Sequence, residues 1–231
     1  MFDGAYFLNT FFTLLPALPL TFFLALGSFV CGGVIGFIFA LIRVFEVKYI
    51  NRLLMLYISF FRGTPLLVQL FMFYYGLPIF LQYYDIHIDF HNFDSLYYAL
   101  IVFSLYASAY LCEIFRAALL SVDKGQIEAA YALGMTNTQA LRRIILPQAF
   151  MITLPNLLNF FIIQVKNTAL ASIITVPELM GLADIESGRS SKFLEVYLMT
   201  ALMYWVQCVV LEAIFFRIEK YFAKFRKKYA K

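Results

Sequence analysis

The chain has 231 residues, 63% of them hydrophobic and 14% charged, with a formal net charge of +4 and a mean hydropathy of +0.80. A soluble domain carries about 25% charged residues, so the composition excludes a water-soluble globule and points to a membrane protein. At ~20 apolar residues per span plus loops, five spans fit this length.

No charged residue lies between Gly4 and Ile42. Pro16 and Pro19 divide this run into an interfacial lead-in and a first span over about Leu18 to Ile42. A secretory signal needs a basic n-region and a small-residue cleavage site. Arg43 is the first basic residue, so the segment is expected to be a mature span. Gly32 and Gly36 have the spacing of close helix packing in membranes. A second span is expected over about Leu53 to Leu81, broken by Arg62-Gly63-Thr64-Pro65. The loop after it holds His87, Asp89 and His91, which do not make a closed metal-ligand set; a solvated loop and no metal site are expected.

The third span is expected from Ser95 to Leu119, followed by a polar loop over residues 120–147. The fourth runs from Gln148 to Ile174 and contains Pro155 and Lys166; the fifth runs from Phe193 to Phe216. One transmembrane domain is expected, without long repeats or low-complexity tracts. Cys31, Cys112 and Cys208 all fall in apolar runs and are expected to be buried free thiols.

Of the 18 basic residues, Arg62 and Lys166 fall within spans. Placing the loops after spans one and three and the C-terminal tail on one side puts 14 of the remaining 16 there. Only Arg189 and Lys192 stay on the other side. The positive-inside rule then sets the N-terminus outside and the C-terminus in the cytoplasm. The basic stretch from Lys220 to Lys231 suits anionic lipid headgroups.

The cytoplasmic loop carries its own folding signals. Asp123 is a fitting N-cap for a helix from Lys124 to Leu133, and Gly134 suits the left-handed residue that ends it. Thr136 and Gln139 have capping-box spacing for a second helix. Ala129 and Ala130 keep one face shallow enough to enter a groove on a partner. Capping alone equally describes a helical hairpin lying on the membrane.

The string Glu128-Ala129-Ala130, three residues, Gly134, nine residues, Ile144, one residue, Leu146-Pro147 resembles without gaps the EAA signature of ATP-binding-cassette importer permeases. Phe61-Arg62-Gly63-Thr64-Pro65-Leu66-Leu67-Val68-Gln69 with Tyr75-Gly76 resembles the second-span motif of polar amino-acid permeases, of the histidine/glutamine/arginine type. Ala109-Tyr110 with Glu113-Ile114-Phe115-Arg116, and Val165-Lys166-Asn167-Thr168-Ala169-Leu170, are similar to later motifs of that subfamily. The resemblance covers about Leu18 to Arg217. It implies an all-α, five-helix type I importer permease core in the bacterial inner membrane, with a coupling helix formed by the EAA segment. It also implies two cytoplasmic ATPase subunits, a second permease subunit (identical or homologous) and an extracytoplasmic amino-acid-binding protein. Glu128, Ala129, Ala130, Gly134, Ile144, Leu146 and Pro147 would couple to the ATPase. Two of these motifs depart from the common pattern. Tyr106 stands where an asparagine is frequent, and Asn167 and Ala169 replace an aspartate and a serine; both changes bear on the translocation pathway.

Ionisable groups in spans are costly and face cavities or partners. Arg62 either braces the carbonyls freed by Pro65 or lines a polar pathway with Gln69. Lys166, near Asn159, Gln164 and Asn167, can attract a substrate carboxylate, form an ion pair, or snorkel to the interface. Glu113 can pair with Arg116 at i,i+3, with Arg62, or with a substrate ammonium. No nucleophile–base or metal constellation appears, so no catalytic residue is expected. The phosphate-loop motif G-x-x-x-x-G-K-[ST] is absent, so ATP and magnesium are expected on the partner. No nucleic-acid partner is indicated. A self-sufficient secondary amino-acid transporter is the alternative, but such folds show internal repeats that this sequence lacks.

Overall fold

The computed structural model describes residues 2–85 and 93–229, with side chains through Phe222. His87, Asp89 and His91 lie outside the described residues. All regular structure among the described residues is helical. The helices are α1 (Gly4–Leu14), α2 (Leu18–Val44), α3 (Ile50–Gly63), α4 (Leu66–Phe71), α5 (Leu77–Tyr83), α6 (Ser95–Leu120), α7 (Lys124–Ala132), α8 (Asn137–Ala140), α9 (Leu146–Asn167), α10 (Leu179–Ser190) and α11 (Phe193–Tyr229). Among the described residues, five helical stretches are long and apolar enough to cross a membrane: Gly4–Val44, Leu66–Tyr83, Ser95–Leu120, Asn137–Ile174 and Phe193–Phe222.

Two expected boundaries move. The second span is Leu66–Tyr83 rather than Leu53 to Leu81. Thr64 adopts extended backbone because a residue before proline is forced out of the helical region, and α3 becomes a separate helix. The fourth span is helical from Asn137, not Gln148. The chain passes from α8 through a π-helical turn at Leu141–Ile145 directly into α9. The last part of the expected polar loop, residues 137–147, is therefore a continuation of the span.

The core forms around α2 and α6, which run parallel. Gly27 faces Leu100, Gly32 faces Ser104 and Ala107, and Gly36 faces Ser108 and Leu111. A Cβ at Gly32 would lie 2.6 Å from Ala107 Cβ and 2.7 Å from Ser104 O. One at Gly36 would lie 2.8 Å from Ser108 O. Without an aqueous driving force between helices, this backbone proximity supplies the packing. Helix α9 returns antiparallel beside the pair, with Gln164 Nε2 donating to Ser28 Oγ at 2.9 Å and Ala25 packed against Phe161 and Val165. Helix α11 runs antiparallel to α9, bringing Phe215 onto Phe161 and Phe222 onto Phe150.

Residues 2–4 and the segment around α10 lie together at the end of the bundle opposite α7. The Asp3 amide donates to Glu195 at 2.9 Å, Lys192 Nζ donates to Asp3 at 2.5 Å, and Tyr6 donates to Glu186. The Lys192 bond, reinforced by the Tyr6 amide, holds the Asp3 carboxyl below its ordinary value. Arg189 and then Tyr6 do the same for Glu186. All three cysteines are free; Cys112 is buried, but Cys208 is half-buried and Cys31 exposed, correcting the expectation for those two.

The two glycine faces predict different tolerance. Gly32→Ala should lower the melting temperature of the detergent-solubilised protein, because overpacking costs about 1–3 kcal/mol. Gly33→Ala, whose Cβ would meet nothing closer than Leu111 Cδ1 at 3.8 Å, should leave it unchanged. Equal melting of the two variants would contradict the packing described.

Candidate functional site

Two regions of the bundle carry the chemistry singled out in the sequence. The first is the helix pair over residues 123–147. Asp123 accepts from the Gln126 amide at 3.3 Å, and α7 ends at Ala132, one residue short of expectation. Gly134 has φ +76°. The Met135 amide donates to Ala130 O at 3.1 Å and the Gly134 amide to Tyr131 O at 2.9 Å. These two bonds close a Schellman turn, which needs the left-handed residue that glycine supplies most readily. Both halves of the Thr136–Gln139 capping box form, at 2.9 and 3.3 Å. Ala130 and Ala140 are buried and seat the pair, and Gln148 ties it to α9 through Gln126 at 2.5 Å. Glu128, Ala129, Tyr131, Leu133 and Gly134 remain exposed. Ile144 and Leu146 are half-buried and Pro147 is exposed, on the stretch that joins the pair to the membrane.

The second region lies in the bundle, towards the α7-proximal ends of α2 and α6. Glu113 pairs with Arg116 at 2.8 Å, as its spacing suggests, and also with Arg43. Arg62 reaches the same carboxylate at 3.9 Å. One carboxylate thus joins α2, α3 and α6. The bracing expected of Arg62 is performed by Gln69 instead. Gln69 is 1% exposed, and its Nε2 donates to Phe61 O at 2.9 Å, Thr64 O at 3.1 Å and Thr64 Oγ1 at 2.8 Å. A buried amide suits this role because it satisfies the carbonyls freed by the break without bringing in a charge. Arg62 lies over the Tyr110 ring, 5.4 Å from its centroid, a cation–π distance. Tyr110 packs on Tyr106 at 4.6 Å between centroids, and both face Phe160.

The polar stretch of α9 is divided around the helix. Gln164 is fully buried and bonds α2. Asn167 lies beside the Tyr106 hydroxyl, and its Nδ2 is buried without a hydrogen-bond acceptor. Asn159 and Lys166 are exposed. Lys166 lies near Cys208 of α11 and makes no ion pair with any described residue. A Lys166–Glu113 pair is therefore not formed.

Sequence reasoning missed Glu178. Its fully buried carboxylate accepts from the Met180 and Gly181 amides at 2.8 and 3.0 Å, from Tyr204 at 2.7 Å and from Thr21 at 3.4 Å. It fixes the start of α10 against α2 and α11. The available signal was a carboxylate immediately after Pro177 at a helix start, an N-cap pattern. Arg43 was missed as a partner of Glu113 because nothing local links two residues 70 positions apart.

A parallel helix pair, α2 and α6, flanked by α9 running antiparallel to it and by α11 antiparallel to α9, with an ordered helix pair projecting at one end, is the architecture of a polytopic membrane subunit. Residues 32–224 match the family described as "Binding-protein-dependent transport system inner membrane component", and the chain belongs to that family. It is similar to "Probable amino-acid ABC transporter permease protein PatM" of Vibrio harveyi, at 42% identity over 92% of this chain and 93% of that protein. It is also similar to "L-cystine transport system permease protein TcyL" of Bacillus subtilis (strain 168), at 40% identity over 90% and 86%. A solved structure titled "Crystal structure of an amino acid ABC transporter with histidines" superposes with a TM-score of 0.84 at 31% identity, over 95% of this chain and 99% of that one. The fold is the type I ABC importer permease fold. The chain is a non-catalytic multi-pass inner-membrane subunit that works with a separate ATPase and a binding protein.

The shared carboxylate yields a prediction. Glu113→Gln keeps the shape but leaves three guanidiniums facing one another, and should destabilise the protein by about 2–4 kcal/mol. Arg62→Gln, which removes only the distant, half-exposed partner, should cost about 0–1 kcal/mol. Thermal unfolding of both in detergent checks this; the reverse order would contradict the hub.

Proposed function

We propose that this chain is the membrane-spanning subunit of an ATP-driven importer of polar amino acids, of the histidine/glutamine/arginine permease type. It receives substrate from an external binding protein and releases it to the cytoplasm. The N-terminus is outside and the C-terminus inside, a reading supported by the distribution of basic residues. The working assembly contains a second permease subunit, identical or homologous, and two ATPase subunits that bind the ATP and magnesium. This chain binds neither.

The observation that carries this reading is the exposed shallow face of α7. Its end is fixed by the Gly134 turn, and that turn leads into α8, which is continuous with a membrane helix through the π turn and α9. A partner that grips Glu128, Ala129 and Gly134 moves a lever whose other end is α9, through Ile144, Leu146 and Pro147. On the membrane side, Arg62, Gln69, Glu113, Lys166 and Asn167 lie along or beside the substrate pathway. Gln69 and Glu113 shape it, and Lys166 and Asn167 are available to a substrate carboxylate. The amino-acid class is supported by the relatives, whose names are those of amino-acid and L-cystine transport permeases.

Gly134→Val tests the lever. A β-branched residue resists positive φ, at a cost of order 1–3 kcal/mol, so the Schellman turn should open while the spans remain folded. The variant should reach the membrane in normal amounts, lose its ATPase subunit on purification or hydrolyse ATP without transport, and import poorly. Normal uptake with a normal yield of the complex would remove the proposed role.

A further inference from the structure

We propose that this protein holds an anionic phospholipid from the leaflet on its α7 side. One acyl chain enters a cleft between α2, α6 and α9, and the phosphate rests on Arg142 and Arg143. The inference goes beyond transport and does not depend on which substrate is carried.

The cleft has a volume of about 240 Å³ and is walled by Phe37 of α2, Phe115 and Leu119 of α6, and Leu146, Phe150 and Thr153 of α9. Phe37 and Phe115 meet edge to face at 5.4 Å between centroids. Leu119, Ala149 and Thr153 are its buried part, while Phe150 is exposed beside it. No charged side chain lines it, and the Thr153 hydroxyl is spent on Ala149 O at 2.7 Å. Every lining residue falls in a stretch long and apolar enough to cross a membrane, so lipid rather than water meets the opening. Phe37 lies seven residues before the end of α2 and Thr153 seven residues after the start of α9. At 1.5 Å per residue the cleft therefore reaches about 10 Å inward from the helix ends. A helix with its side chains is about 10–12 Å across, too broad for this space, whereas a hydrocarbon chain is narrow enough. Its occupant would touch both the α2–α6 pair and the first turns of α9, at the end that carries α7 and α8.

Apolar contact alone does not select one lipid from another, so the preference comes from the headgroup. Arg142 lies one turn before Leu146, on the line of Leu146, Ala149 and Thr153; Arg143 lies one turn before Pro147, on the line of Phe150. Both are exposed, and neither makes an ion pair with a described residue. The carboxylates of the adjoining elements do not answer them: Asp123 and Glu128 of α7 and Glu219 of α11 form no ion pair, and Glu113 of α6 is taken by Arg43 and Arg116. Arg116, next to Phe115, is thereby spent and does not count towards the site. A guanidinium matches a phosphate with paired hydrogen bonds. A zwitterionic lipid carries its own cation beside that phosphate, and an anionic lipid does not. Each basic side chain near the membrane surface then favours the anionic lipid about fivefold.

The test uses the complete complex of permease and ATPase subunits in phosphatidylcholine nanodiscs. A trace of phosphatidylglycerol or of phosphatidylcholine is added, each with the same photoactivatable acyl chain, and the labelled residues are mapped by mass spectrometry of proteolytic fragments. The phosphatidylglycerol probe should label the fragments holding Phe115 to Leu119 and Leu146 to Thr153, about fivefold or more above the phosphatidylcholine probe. The double variant Arg142→Gln, Arg143→Gln should bring the two probes within about twofold of each other. Arg217→Gln with Lys220→Gln removes two exposed basic residues of α11 on the side turned from Phe215 and Phe222, and should keep the wild-type excess. ATP hydrolysis reports assembly of each variant. Equal labelling by the two probes in the wild type, or label confined to fragments outside the cleft, would overturn the inference. So would an unchanged excess in the assembled Arg142 and Arg143 variant, or an equal loss in the α11 variant, which would reduce the effect to general attraction by a basic surface. If the Arg142 and Arg143 variant does not assemble, the wild-type comparison and the α11 variant decide.

Discussion

The structure depends first on the backbone-to-backbone approach of α2 and α6. In a bilayer, two apolar helices gain little from merely touching, since lipid is as apolar as leucine. Gly32 and Gly36 allow a contact that lipid cannot replace, with Ser104, Ala107 and Ser108 of α6 on the glycine face. The other elements use this pair as their reference. Gln164 pins α9 to it through Ser28, and Glu113 secures its α7-proximal end through Arg43. The Tyr57 hydroxyl brings α3 against it, 2.9 Å from Leu105 O and 2.8 Å from Ser108 Oγ.

A rigid pair with a lever attached suits a subunit driven from outside. The α7–α8 pair has few buried side chains of its own beyond Ala130 and Ala140, so its shape is held by caps, the Schellman turn and the capping box. Such local bonds keep a short helix pair ordered while its outer face remains free for a partner. The helical continuity from Asn137 to Ile174 connects that face to Lys166 and Asn167 without an intervening loop. In the proposed coupling, a displacement of the pair would be carried along α9 to the level of Tyr106.

Much of this was legible in the sequence because it is set locally. Caps at Asp123 and Thr136, the left-handed turn at Gly134 and the break at Pro65 each follow from a few adjacent residues. The Gly32–Gly36 spacing marked the packing face correctly, although not its partner helix. What the sequence left open was long-range pairing. Arg62 has both the position and the donors to brace the helix break, yet Gln69 does so, because the turn after Pro65 returns that amide to Phe61 and Thr64. Glu113 was assigned its i,i+3 partner but not Arg43 on α2. Glu178 has a local N-cap signal through the Met180 and Gly181 amides, but its junction role was not legible because Thr21 and Tyr204 lie far from it in the chain. Lys166 and Gln164, two residues apart, were grouped as one polar neighbourhood, whereas helical geometry sends one outward and the other into the core.

The central claim is that this chain moves substrate only when a separate ATPase drives the α7 lever. It is tested most directly by uptake into proteoliposomes containing the chain with its binding protein, with and without the ATPase subunits, in the presence and absence of an imposed ion gradient. Amino-acid accumulation that requires both the ATPase and ATP, and is indifferent to the gradient, is the predicted result. Accumulation driven by the gradient in vesicles lacking the ATPase would contradict the account and favour a self-sufficient secondary transporter.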